Sequence, residues 1–167
     1  MTNEQLAYIA GIIDGEGCIA VSKVVRNTHK SGYVYQLHLV VTNTDRRLLE
    51  YLKETTLLGS ISIHAHAAES RSPAWAWSVG SVPARRLLEK VMPYLVIKRE
   101  QAALAIEFHE KCKRRPWVEK GRLTKEENEY REWAYETMKL LKKKHLVDLP
   151  RQPRLSTETL PMFEHGA

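Results

Sequence analysis

The chain predicts an α+β fold, a four-stranded antiparallel sheet made of two hairpins with helices gathered on one face. Two observations carry that expectation. Residues 18–26 and 33–42, and again 60–66 and 74–79, alternate between two faces with a period of two, each pair joined by a polar turn. The segments around them instead space their apolar residues as helices do, which gives the order α-β-β-α-β-β-α-α plus a C-terminal helix. At 167 residues this is one ordinary domain with room for a core. We assign residues 1–147 to it, with its core at 4–110 and a helical part at 122–147. Residues 148–167, with Pro150, Pro153 and Pro161, form a tail or extended arm.

Each element has a local reason. Thr2 and Gln5 form a capping pair at the first helix. In the second strand Tyr35, Leu37, Leu39 and Val41 share one side, and Gln36, His38 and Thr42 the other. Thr44-Asp45 caps a helix over 46–57 with Leu48, Leu49 and Leu52 inward, and Gly59 ends it. Ser60, Ser62, His64 and His66 line one face of the third strand, and Trp75 and Trp77 lie together on one side of the fourth. Helices are expected over 82–92 and 96–113. A basic connection follows at 114–123, and Thr124 with Glu127 opens a charged helix to about residue 144.

A net charge of +6 and a pI near 9.3 favour a polyanionic partner. No apolar run approaches the roughly 20 residues that span a bilayer, and the N-terminus lacks a signal-peptide layout. The expectation is an intracellular, non-secreted chain with no membrane partner, acting in cytoplasm, nucleoid or an organelle. Cys18 and Cys112 are too few for a disulfide framework and read as small buried hydrophobes. His64 and His66 have no third ligand at zinc spacing.

The stretch that organises the chain is residues 6–18, Leu-Ala-Tyr-Ile-Ala-Gly-Ile-Ile-Asp-Gly-Glu-Gly-Cys. Its first part, Leu6 to Ile13, is a helix with almost no polar face, so it must be covered on most sides. Ala7, Ala10 and Gly11 would let another backbone come close. Asp14 and Glu16 then fall at the negative end of the helix dipole, where a divalent cation would neutralise them. Residues 10–17, Ala-Gly-Ile-Ile-Asp-Gly-Glu-Gly, resemble the motif of the LAGLIDADG homing endonucleases, in its single-motif branch. The resemblance covers roughly residues 4–110 and implies the LAGLIDADG fold (αββαββα), whose curved antiparallel sheet forms a saddle for DNA.

It also implies a function. A homodimer would meet through Ala7, Ala10, Gly11 and Asp14 and cut both strands of a long, pseudo-palindromic double-stranded DNA, promoting mobility of the intron that encodes it. Glu16, with the carbonyl of Gly15, would bind Mg²⁺ or another divalent cation such as Mn²⁺. Glutamate is a departure from the aspartate that many members carry there. The stretch 93–102 resembles a second recurring segment, and Lys98 takes the place of a lysine near the scissile phosphate. Asn43 either takes a polar position that orients water in the family or serves as a loop cap, and either Arg46 or Arg47 would complete the pocket.

Sheet positions turned to the DNA would be Ser22, Val24, Arg26, Val34, Gln36, His38 and Val40, then Ser62, His64, His66, Trp75 and Trp77. Arginine and glutamine suit bidentate contacts to purine edges in the major groove. Basic runs at 111–115 and 139–144 suit phosphates. Two other functions stay open on the same fold, an intron maturase that binds RNA and a DNA-binding regulator without cleavage. Glu16 with Lys98 favours cleavage over the regulator, because a pure binder needs no metal carboxylate.

Overall fold

Helix α1 (Asn3–Glu16) begins where Thr2 accepts from the Gln5 amide at 3.3 Å and donates its own amide to the Gln5 side chain at 2.9 Å. The chain then runs through β1 (Gly17–Val25), β2 (Tyr33–Asn43), α2 (Arg46–Thr56), β3 (Ser60–Ala65) and β4 (Ala74–Gly80). Helix α3 (Ser81–Val91), a 3₁₀ turn (Met92–Tyr94), α4 (Arg99–Lys111) and α5 (Lys125–Lys142) complete it. The structure, a computed structural model, describes residues 1–26, 33–65, 72–112 and 124–143. The polar turn at 27–32, His66, the connection at 114–123 and the tail at 148–167 lie outside those residues.

The four strands make one antiparallel sheet in the order β1-β2-β4-β3. Its two faces follow from the register. Ile19, Val21, Leu37, Leu39, Val41, Trp77 and Val79 point one way and are buried. Against them pack Ile9 and Ile13 of α1, Leu49 and Leu52 of α2, Leu87 and Leu88 of α3, and Leu104 and Phe108 of α4. Each such side chain removed from water contributes about 1.5–3 kcal/mol, so this layer holds the fold. Ser22, Gln36, His38, Val40, Ser78, Ser60 and Ser62 alternate onto the other face. No described helix covers that face.

Helix α5 opens with the expected box, in which Thr124 accepts from the Glu127 amide at 3.2 Å and returns its own at 2.8 Å. A polar latch then ties the helix to the sheet. Lys23 Nζ donates to Glu132 Oε2 at 2.6 Å, and the Tyr35 hydroxyl donates to the same oxygen. Lys23 also sits over the rings of Tyr33 and Tyr35, at 4.6 and 5.6 Å. Partial burial works against the ionisation of Glu132, but these hydrogen bonds outweigh it and hold its pKa below the usual carboxylate value.

Four expectations need correction. Helix α1 continues to Glu16, so both acids belong to its last turn. Helix α4 starts at Arg99, three residues later than expected, because the amides of Val96, Ile97 and Lys98 turn to a side chain instead of entering the helix. The pairing of β3 with β4 shifts register between Ile63 and Ala65, so the strict alternation of β3 breaks at His64. Gly59 does not end α2, which Leu57 caps in the left-handed conformation. With φ +75° and Ser78 O 2.6 Å from where a Cβ would stand, Gly59 makes the turn into β3.

Trp75 and Trp77, expected to face DNA, are on the core face of β4. Trp77 is fully buried and donates its indole N–H to the Leu58 carbonyl at 2.9 Å. Both belong to the apolar set of their strand, and packing against α2 claims them. Trp77→Ala should therefore lower stability by about 3–5 kcal/mol in denaturant titration. A variant of unchanged stability with altered nucleic-acid preference would contradict the placement.

Candidate active site at the C-terminal end of helix α1

The last turn of α1 carries Asp14 and Glu16 where the helix dipole is negative, which disfavours each acid by about 0.3–1 kcal/mol. The helix closes because the Gly17 N–H donates to the Ile13 carbonyl. A Cβ at Gly17 would lie 2.6 Å from that oxygen, so only glycine fits. Lys98 then offsets the charge, donating its ammonium to the carbonyl of Ile13 at 3.0 Å and to that of Asp14. In return the Asp14 carboxylate accepts three backbone N–H groups. Oδ2 takes those of Val96 (2.7 Å) and Ile97 (3.3 Å), and Oδ1 takes that of Lys98 (2.9 Å). Partial burial works against ionisation of Asp14, but the three amides and the Lys98 charge outweigh it and lower its pKa.

Glu16 is exposed at the tip of this clasp. Gly17 pairs with Val41, so Asn43 lies at the same end of the β1–β2 ladder as Glu16. Its side-chain oxygen accepts from the Asp45 amide at 2.8 Å and shapes the turn into α2. Arg47 lies on Asp45, its terminal nitrogen 2.6 Å from the carboxylate, and Arg46 is 2.9 Å from Glu50. The fold thus gathers Asp14, Glu16 and Lys98 and sets Asn43 at the rim, while both arginines are engaged by acids of their own segment. Among the described residues, no three of His, Cys, Asp and Glu converge as a ready cation cage. One exposed carboxylate beside a backbone carbonyl, Gly15, does suit Mg²⁺, which keeps several waters and takes substrate phosphate oxygens.

Helix α1 also has a largely exposed face, on which Tyr8 sets its ring edge-on to Tyr51. Glu4, Ala7, Tyr8, Gly11 and Gly15 are exposed along it, and a Cβ at Gly11 or Gly15 would meet nothing within 4 Å. Among the described residues, nothing requires either glycine to be small. Ala10, expected on this face, is fully buried in the chain's own core, since it lies about 60° round the helix from Ala7 and about 100° from Gly11. Val96 and Ile97, held beside α1 by Asp14, add apolar side chains that are 85% and 61% exposed.

On the open sheet face, Ser22 pairs with Gln36 and Val24 with Val34. His38 Nε2 is 3.3 Å from Gln36 Oε1, so these two act on one another. Arg26 follows the last residue of β1 and is exposed, as are Ser62 and His64. Cys18, expected to be a small buried hydrophobe, is instead exposed at the start of β1, with Lys142 of α5 reaching its sulfur at 3.2 Å. The period-two pattern could have found it, because Cys18, Ser22 and Val24 fall on one side of β1. Cys112 is half-buried at the end of α4, and burial pushes its thiol up to about 11. Near pH 7.5, iodoacetamide should alkylate Cys18 at least about tenfold faster than Cys112, read by peptide mass spectrometry. Equal rates would contradict these environments.

Comparison with known proteins bears on this arrangement. A family model described as LAGLIDADG endonuclease matches residues 9–96, which run from the middle of α1 through the whole sheet to the 3₁₀ turn. The DNA endonuclease I-CvuI of Chlorella vulgaris is 28% identical over 107 residues, 64% of this chain and 65% of the relative's length. The crystal structure of I-CvuI with its target in the presence of calcium aligns at TM-score 0.66 and 22% identity, covering 91% of this chain and 87% of the other. The archaeal intron-encoded homing endonuclease I-Vdi141I, complexed with DNA, aligns at TM-score 0.67 and 19% identity, covering 88% and 91%. The fold is that of these proteins, and the chain belongs to the LAGLIDADG endonuclease family.

Proposed function

We propose that the chain is a site-specific homing endonuclease that hydrolyses both strands of a long, pseudo-palindromic DNA duplex and promotes mobility of its encoding intron. The observation that carries this reading is the position of Glu16, an exposed acid at the end of a helix whose small residues Ala7, Gly11 and Gly15 are exposed. Glu16 and the Gly15 carbonyl would hold the divalent cation, which supplies a nucleophilic water and stabilises the leaving oxygen when bound. The relatives support a divalent cation at the DNA rather than the cutting step itself, since I-CvuI was solved on DNA in the presence of calcium and, with the DNA not cleaved, of magnesium. Lys98 and the helix end fix where the carboxylate stands, and Asn43 is available at the rim to orient water.

One acid serves one strand, so two chains are needed. An isologous contact through Ala7, Gly11 and Gly15, extended by Tyr8, Val96 and Ile97, would set two Glu16 carboxylates about a shared axis. Two open sheet faces would then lie along one groove, each covering about a helical turn. Ser22, Gln36, His38 and Arg26 are the polar groups there that could read bases, and Val24, Val34 and Val40 could meet thymine methyls. The basic lysines at the end of α5 suit phosphates.

Glu16→Gln keeps the shape of the side chain and removes the charge. Cleavage with Mg²⁺ should fall at least about a hundredfold, while affinity for the same duplex in Ca²⁺ is held or rises. Normal cutting by this variant would remove Glu16 from the metal site. Gly11→Phe should fold, because its own chain leaves room, and should sediment as a monomer that no longer cuts. A monomeric unaltered chain that cleaves would sink the dimer. Gln36→Ala should relax base preference at particular positions by about 1–3 kcal/mol, and uniform weakening at all positions would make Gln36 a backbone contact instead.

A further inference from the structure

We propose that Asp14 and Lys98 work as one positioning device, and that Lys98 acts through the end of α1 rather than directly on a phosphate. The inference rests on the nuclease reading above for what is positioned, but the device itself is read from the free chain. Its two halves are reciprocal. The Lys98 ammonium holds the carbonyls of Ile13 and Asp14, and the Asp14 carboxylate holds the amides of Val96, Ile97 and Lys98.

Neither half is stable without the other. If Lys98 left for a phosphate, the Asp14 carbonyl would lose this donor and the Ile13 carbonyl would keep only the Gly17 N–H, with no cation to offset the negative end of the dipole beside Asp14 and Glu16. If Asp14 lost its charge, the three amides would lose the acceptor that keeps residues 96–98 out of helix α4 and sets where Lys98 begins. The grip stops one residue short of Gly15. The two groups proposed to meet the cation, the Gly15 carbonyl and the Glu16 carboxylate, therefore follow directly on a backbone pinned from both sides. Holding a ligand through its own backbone is how outer-shell groups tune metal affinity, and losing such a partner commonly costs 10–100-fold.

The test uses the full chain on a duplex selected from a randomised pool for binding in Ca²⁺, titrated with Mn²⁺ by electron paramagnetic resonance. Asp14→Asn and Lys98→Met should each raise the half-saturating Mn²⁺ concentration about 10–100-fold. The double variant should do no worse than the poorer single one, and Lys98→Arg should recover most of the loss. Cleavage rates at saturating Mn²⁺ should return to within about threefold of the unaltered chain, as expected when metal binding rather than the chemical step is harmed. Lys98→Met with unchanged Mn²⁺ affinity and a slow saturated rate would overturn the proposal and put the lysine on the phosphate. Multiplying effects in the double variant would overturn it too.

Hydrogen exchange on the free, unaltered chain keeps the matter decidable should a variant not fold. The amides of Gly17 and of residues 96–98 should exchange slowly and by a common opening, and independent fast exchange would count against the clasp. A chain that shows coupled protection but neither binds nor cuts DNA would instead defeat the nuclease reading and leave the clasp standing.

Discussion

The negative end of helix α1 is the constraint on which the rest of the structure turns. A helix that ends in two acids within its last turn needs compensation, and here it comes from a segment more than eighty residues away. Lys98 and the amides of residues 96–98 supply it, and the consequences spread outward. The late start of α4 follows from turning those amides to Asp14. Exposure of Val96 and Ile97 beside α1 follows from the same bonds. Glu16 escapes this neutralisation and remains the acid at the surface.

The sheet is organised by a simpler opposition. One face collects the large aliphatics and both tryptophans and is sealed by helices, while the other keeps serines, Gln36 and His38. Because side chains alternate, that separation needs only correct register, which the β1–β2 hairpin sets from Gly17 opposite Val41 to Val25 opposite Tyr33. Helix α5 is fastened outside this scheme by the Lys23–Tyr35–Glu132 latch, which places polar chemistry on the helix side of the sheet. Its far end brings Lys142 to Cys18, two residues beyond Glu16.

Features governed by near neighbours were legible in the sequence. Both capping boxes and both faces of β2 stand where their residue types put them, because three-residue and two-residue spacings carry the physics. The Glu16 position was legible through the motif that surrounds it. Trp75 and Trp77 were misassigned because aromatic chemistry suggested base contacts, although Trp75, Trp77 and Val79 form the apolar side of their strand. Ala7 and Ala10 could not be separated, since both are small and only the phase of packing exposes one and buries the other. The Asp14 clasp was illegible for a different reason. No local spacing announces a carboxylate that accepts amides from a distant turn, and the lysine that completes it looks like any helix-start lysine.

In the proposed dimer each chain contributes one acid, Glu16, to one strand across a shared α1 seam. Mixed dimers of an unaltered and a Glu16→Gln chain, separated by distinct tags and given a supercoiled target, put that arrangement to the test. A nicked circle cut in one strand only is expected, at a rate close to that of the unaltered dimer for that strand. Linear product cut in both strands, or no cutting of either, would contradict it.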